Sequence, residues 1–95
     1  MRSLPEGFRA YRRTPTFTEE TVPKGLLRQH TTRAGSWAVI VVLEGSLTYR
    51  ILGPEPEELL LTPDRTGVVE PHVPHEVSPG ESVKFYVEFY RADED

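Results

Sequence analysis

Apolar residues come in short clusters of Val, Ile, Leu, Tyr and Phe, each bounded by turn residues. Nine prolines and seven glycines are spread nearly end to end, so no long interval is free of breakers and few helices of ordinary length fit. That pattern predicts an all-β sandwich or barrel. Residues 25–32 read as a first strand, with Leu27, Gln29 and Thr31 on one face and Leu26, Arg28, His30 and Thr32 on the other. Residues 37–43 are apolar on both faces, which predicts a central strand covered on both sides. Glu44-Gly45-Ser46 reads as a hairpin turn with residues 47–52 as its return strand. An acidic, proline-punctuated loop at 53–58 leads to a short strand at 59–61. A turn at 63–67 follows, then a passage through Val68 and Val69 into residues 71–77. The last strand is 83–90.

The first 25 residues break this regularity. Pro5, Pro15 and Pro23 each withhold a backbone donor, so a strand here must be an edge or bulged. Phe8, Tyr11, Phe17 and Val22 are the residues expected to anchor this arm, to its own domain or to a second subunit. With 95 residues there is room for one domain, divided as an arm at 1–24, a barrel at 25–90 and a charged tail at 91–95.

Composition narrows the function classes. Eleven Lys and Arg against fifteen Asp and Glu give a net charge of −4, without the broad positive field that attracts nucleic acid. Arg2, Arg9, Arg12 and Arg13 make the arm locally basic, which reads as a solvated arm, since no interleaved aromatic platform accompanies them. There is no cysteine, which excludes disulfides, thiolate zinc sites and a cysteine nucleophile. No apolar run approaches the roughly 20 residues a bilayer span needs, and the N-terminus has no apolar core of the secretory kind, so a cytoplasmic protein is expected.

His30, His72 and His75 are the only histidines. Imidazole is the commonest neutral metal ligand and the usual base near neutral pH. His72 and His75 lie three apart, on opposite faces of a regular strand unless Pro74 bends the chain. In the last strand Glu88 stands between Tyr86 and Tyr90, a pattern that suits either a polar interior or an exposed face. Arg28, Trp37, Tyr49 and Tyr86 are candidate ligand contacts. For each a plainer reading exists: ion pair, core residue or β propensity.

The passage Glu70-Pro71-His72-Val73-Pro74-His75 resembles the second cupin motif, P-x-G-x-x-H, with His75 at the ligand position and His72 where cupins usually carry glycine. His30 followed by Gly45 resembles a thinned first motif, with Ala38 about where its glutamate would stand. Leu4-Pro5-Glu6-Gly7-Phe8, Thr14-Pro15, Val22-Pro23, Gly35-x-Trp37, Glu44-Gly45-x-Leu47 and Val87-Glu88-Phe89-Tyr90-Arg91 together resemble the small cupin family of tellurite-resistance protein B-related domains. The resemblance implies an antiparallel β-barrel or jelly roll. It supports a divalent metal (zinc, iron, manganese or nickel) at His30, His75 and Glu88, with His72 as a fourth ligand.

The expected function is a metal-binding small cupin that recognises a small molecule or oxyanion, connected with tellurite or stress resistance. A metal-dependent hydrolase or oxygenase and a metal-free structural module are the alternatives. A homodimer with the proline-rich arm across its interface is the expected assembly.

Overall fold

The computed structural model describes residues 1–27 and 35–92. Strands β1 (Phe8–Arg13), β2 (Phe17–Thr18), β3 (Trp37–Glu44), β6 (Gly67–Val69) and β8 (Lys84–Ala92) form one sheet, ordered β1-β8-β3-β6, with β2 also on β8. Strands β4 (Leu47–Ile51), β5 (Glu57–Leu61) and β7 (His75–Pro79) form a second sheet, ordered β5-β4-β7. Every ladder is antiparallel. The all-β, single-domain reading of the sequence therefore stands. The closed barrel does not: among the described residues no ladder joins the two sheets, and they face each other as an open sandwich.

Strand periodicity builds the interior. Ala38, Ile40 and Val42 of β3, with Phe85 and Val87 of β8 and Val69 of β6, point toward Leu47, Tyr49, Leu59, Leu61 and Val77 of the other sheet. The outer faces differ. On the smaller sheet Arg50 spans three strands, donating to Glu58 at 2.8 Å, Glu76 at 3.0 Å and Ser78 Oγ at 2.8 Å. On the larger sheet Trp37, Val39 and Val41 are half-buried, so β3 is central but covered on one face only.

Two further expectations change. Residues 44–46 do not make a hairpin. β3 is already paired on both edges, by β6 and β8, so the chain crosses to the other sheet. Gly45 makes that crossing at φ +76°, where a Cβ would come within 3.0 Å of the Ser82 carbonyl oxygen. Lys24–Leu27 is a 3-10 helix rather than the start of a strand. Pro23 sets the φ of a first turn, and its carbonyl accepts from Leu26 N at 3.0 Å. Residues 28–32 of that expected strand lie outside the described residues.

The arm packs on its own chain. β1 is an edge strand of the larger sheet, and the four anchors expected from the sequence hold it there. Phe8 meets Trp37 edge-on at 6.1 Å, Phe17 meets Phe85 at 5.7 Å, Tyr11 Oη lies 2.8 Å from Ser36 Oγ, and Val22 is buried. The arm thus has a seat on its own chain.

Gly67 is required by space. A Cβ there would lie 2.7 Å from Leu61 Cδ1 and 3.0 Å from Tyr49 Cδ2, and both side chains are fully buried. Gly67→Ala should lower the unfolding free energy by about 1–3 kcal/mol, the usual cost of overpacking a core, read from urea denaturation. An unchanged midpoint would mean that Tyr49 and Leu61 have room to yield.

Candidate functional site: the cavity between the sheets

The sandwich is not filled at one end. A cavity of about 380 Å³ lies between β7 on one side and β3, β6 and β8 on the other. Ala38, Ile40, Val69, Val77, Phe85 and Val87 line it, and Phe17, Pro23, Gly25 and Leu26 border it. Arg12, Arg13, Thr14 and Pro15 complete its rim. The small residue at Ala38 and the short reach of three valines leave volume that larger side chains would occupy. A mostly apolar cavity of this size lies in the range of small-ligand pockets, about 300–1,000 Å³.

Among the described residues Ser36 and His75 are the buried polar ones, and His75, 4% exposed, is the one that lines the cavity. Pro74 precedes it and β7 begins with it, so its ring is aimed inward at the first position of a strand. Its Nδ1 lies 3.1 Å from the Val73 carbonyl. A carbonyl only accepts, so Nδ1 carries the hydrogen, and in the neutral ring Nε2 carries a lone pair. The Tyr49 ring stands edge-on to the imidazole at 5.9 Å.

Tyr49 ties the sheets together. It is buried on the inner face of β4, and its hydroxyl donates to the Val68 carbonyl of the other sheet at 2.9 Å. Burial, reinforced by the charges of Glu70 and Glu57, pushes this phenol well above its ordinary value.

The other expected site residues are placed elsewhere. Glu88 does not turn into the interior. It faces outward from β8, opposite Arg13, whose guanidinium reaches Glu88 Oε2 at 3.0 and 3.2 Å. Tyr90 Oη donates to Glu88 Oε1 at 3.0 Å, and Arg13 lies 4.3 Å from the Tyr86 ring centroid. The hydrogen bond to Glu88 is the main cause holding Arg13 above its usual value, and burial, then Glu88, do the same for Tyr90. The reason is parity: Phe85, Val87 and Phe89 take the core side of β8, which sends Tyr86, Glu88 and Tyr90 to the other. Trp37 is on that outer face too, against Phe8. Arg28 and His30 lie outside the described residues.

His72 is exposed, in the turn before β7, with φ 63°. This left-handed position explains why the motif it resembles carries glycine there: an L side chain crowds the following carbonyl.

These placements decide the fit of a metal. His75 has the tautomer of a metal-binding imidazole held by a backbone carbonyl. Yet among the described residues no three His, Asp or Glu side chains gather where they could hold an ion, and Glu88 is on the wrong face. The described donors do not make the expected two-histidine, one-carboxylate site.

A model of the TehB-like domain matches residues 12–87, from the cavity rim on β1 to the inner face of β8. The chain belongs to the TehB-like domain family. A search among curated proteins finds no match. TehB from Haemophilus influenzae aligns with a TM-score of 0.84 and 26% identity, over 95% of this chain and 33% of its own. The TehB-like domain described here therefore spans about a third of that protein's length. A protein from Escherichia coli strain K12 aligns over 99% of this chain and 100% of its own, with a TM-score of 0.87 and 22% identity, which shows a shared fold. Hydroxypropylphosphonic acid epoxidase from S. wedmorenis aligns at a TM-score of 0.51 and 25% identity, over 67% of this chain and 34% of its own. This weak match to a cupin enzyme leaves the cupin assignment of the sequence unconfirmed.

The sequence read Arg12 and Arg13 only as part of a solvated basic arm and Phe17 only as an anchor of that arm, not as borders of a cavity. Counting by twos along β1 puts Arg12 on the outer face, and only the bulge described below reverses it.

Two measurements check this geometry. Tyr49 has a folded-state pKa raised above the unfolded value of about 10. Its contribution to stability is therefore fully present below that pH and is lost as pH rises toward the folded value. Tyr49→Phe should cost about 1 kcal/mol at pH 7. The gap should then close above pH 10, at up to about 1.4 kcal/mol per pH unit for one tyrosine. A gap constant from pH 7 to 11.5 in urea melts would contradict the burial. At the turn, His72→Gly should leave stability equal or raise it by about 1 kcal/mol; a clear loss would give the imidazole a structural partner.

Proposed function

We propose that this TehB-like domain is a binding module for a small, largely apolar molecule held in the cavity between its sheets. The carrying observation is the cavity itself: about 380 Å³ lined by apolar side chains, with His75 inside it. Transfer of an apolar body from water into such a space is favourable by about 25 cal/mol per Å². His75 adds one polar group to the wall of the cavity, its Nδ1–H held by the Val73 carbonyl.

This reading narrows the small molecule or oxyanion expected from the sequence. A small, strongly hydrated oxyanion such as tellurite gains little from apolar walls and loses its hydration. The family name is the sole link to tellurite, and the cavity chemistry favours an organic ligand. Membership of the family and likeness to TehB support a module that works alone or as part of a longer protein. No bond-breaking machinery is assigned to it. Metal content bears on the enzyme alternative: one tightly held divalent ion per chain, lost in His75→Ala, would favour a metal-dependent reaction in the same cavity.

The test uses a neutral apolar probe. 1-Octanol should shift the amide resonances of Ala38, Val77 and Val87 in a saturable titration. Ala38→Leu, which fills the cavity from β3, should abolish those shifts. It should cost less than the 1–3 kcal/mol typical of overpacking, because its methyl groups enter empty volume. Octanol shifts that persist in a folded Ala38→Leu protein, or none in the wild type, would remove this reading.

A further inference from the structure

The rim of the cavity carries a positive charge that the fold has turned inward. In the β1–β8 ladder Ala10 pairs with Tyr90, but Arg12 pairs with Phe89 and Arg13 with Glu88. Tyr11 is the extra residue, a bulge. In an unbroken register Arg12 would oppose Glu88 on the outer face. The bulge moves it one position, and residues directly opposite across an antiparallel ladder share a face. Arg12 thus joins Phe89 on the cavity side, and both residues line the cavity.

The two adjacent arginines have separate fates. Arg13 is taken by Glu88 and the Tyr86 ring. Arg12 has its guanidinium carbon 5.5 Å from the Phe89 ring centroid, and among the described residues no carboxylate pairs with it. The ring gives the guanidinium a seat that leaves its N–H donors free for a planar anion. No acidic side chain lines the cavity among the described residues, so nothing there competes for those donors.

We propose that Arg12 is the anion-recognising residue of the cavity, and that the ligand is an amphiphile with a carboxylate or similar anionic head at Arg12 and an apolar body inside. This rests on the binding-module reading above and adds the head group's charge and its partner. An exposed arginine alone would be a weak signal. The weight here comes from its position: a bulge that reverses its face, an aromatic seat and an apolar volume directly behind it. The bidentate geometry of guanidinium and carboxylate would fix which end of the ligand enters first.

The experiment compares octanoate with 1-octanol, equal in chain and different in head charge, by the same amide titration at low salt. Octanoate should bind the wild type at least tenfold more tightly than octanol, and 0.5 M NaCl should shrink that ratio. Arg12→Gln should bring octanoate down to the level of octanol while octanol stays within about twofold of wild type. Arg12→Lys should keep part of the preference. Equal affinity for the two probes in the wild type, or an octanoate preference that survives Arg12→Gln, would overturn the role of Arg12 and leave the cavity reading intact. Failure of both probes to bind would remove both.

Discussion

Two sheets that share no hydrogen-bond ladder among the described residues are held together here by side-chain burial. Leu47, Tyr49, Leu59, Leu61 and Val77 on one inner face meet Ala38, Ile40, Val42, Phe85 and Val87 on the other. This contact orients everything else. It fixes which residues of β8 are interior, it places His75 among apolar neighbours, and it buries the Tyr49 hydroxyl deeply enough to require the Val68 carbonyl. A closed barrel would spread that job over continuous backbone bonds. An open sandwich concentrates it in a few side chains, which is why a methyl group at Gly67 is felt at once by Tyr49 and Leu61.

The cavity follows from the same contact. Packing is tight around Leu47, Leu61 and Val83, and looser where Ala38, Val69, Val77, Phe85 and Val87 face one another. Gly25 and Leu26 of the 3-10 helix, with Pro15 and Pro23, border this looser end. His75 and Arg12 then occupy different depths, one a buried imidazole on the cavity wall, the other a charge at the rim. Such an axis from polar rim to apolar interior suits a ligand with two unlike ends.

The outer faces carry polar work of another kind. Arg50 with Glu58, Glu76 and Ser78, and Arg13 with Glu88 and Tyr86, each tie neighbouring strands across a ladder. Such exposed pairs are worth little individually. The Arg13 pair marks the phase that the bulged backbone ladder sets: Arg13 stands opposite Glu88 on the outer face, and Arg12 opposite Phe89 on the inner one.

Much of this protein was legible in its residue order. Breaker spacing and clusters of Val, Ile, Leu and Phe determined an all-β chain. Short apolar runs between turn residues located β3, β4, β5 and β8, and the resemblance of residues 70–75 to a cupin motif singled out His75. Local sequence could read these because strand periodicity and turn chemistry are short-range. Only the tertiary structure decided the rest. Which strands pair is set by long-range burial, so residues 44–46 became a crossing between sheets rather than a hairpin. Whether Glu88 faces in or out depended on which side of β8 the opposite sheet covers. The face of Arg12 depended on one bulged residue, Tyr11, whose extra length shows only against the register of its partner strand.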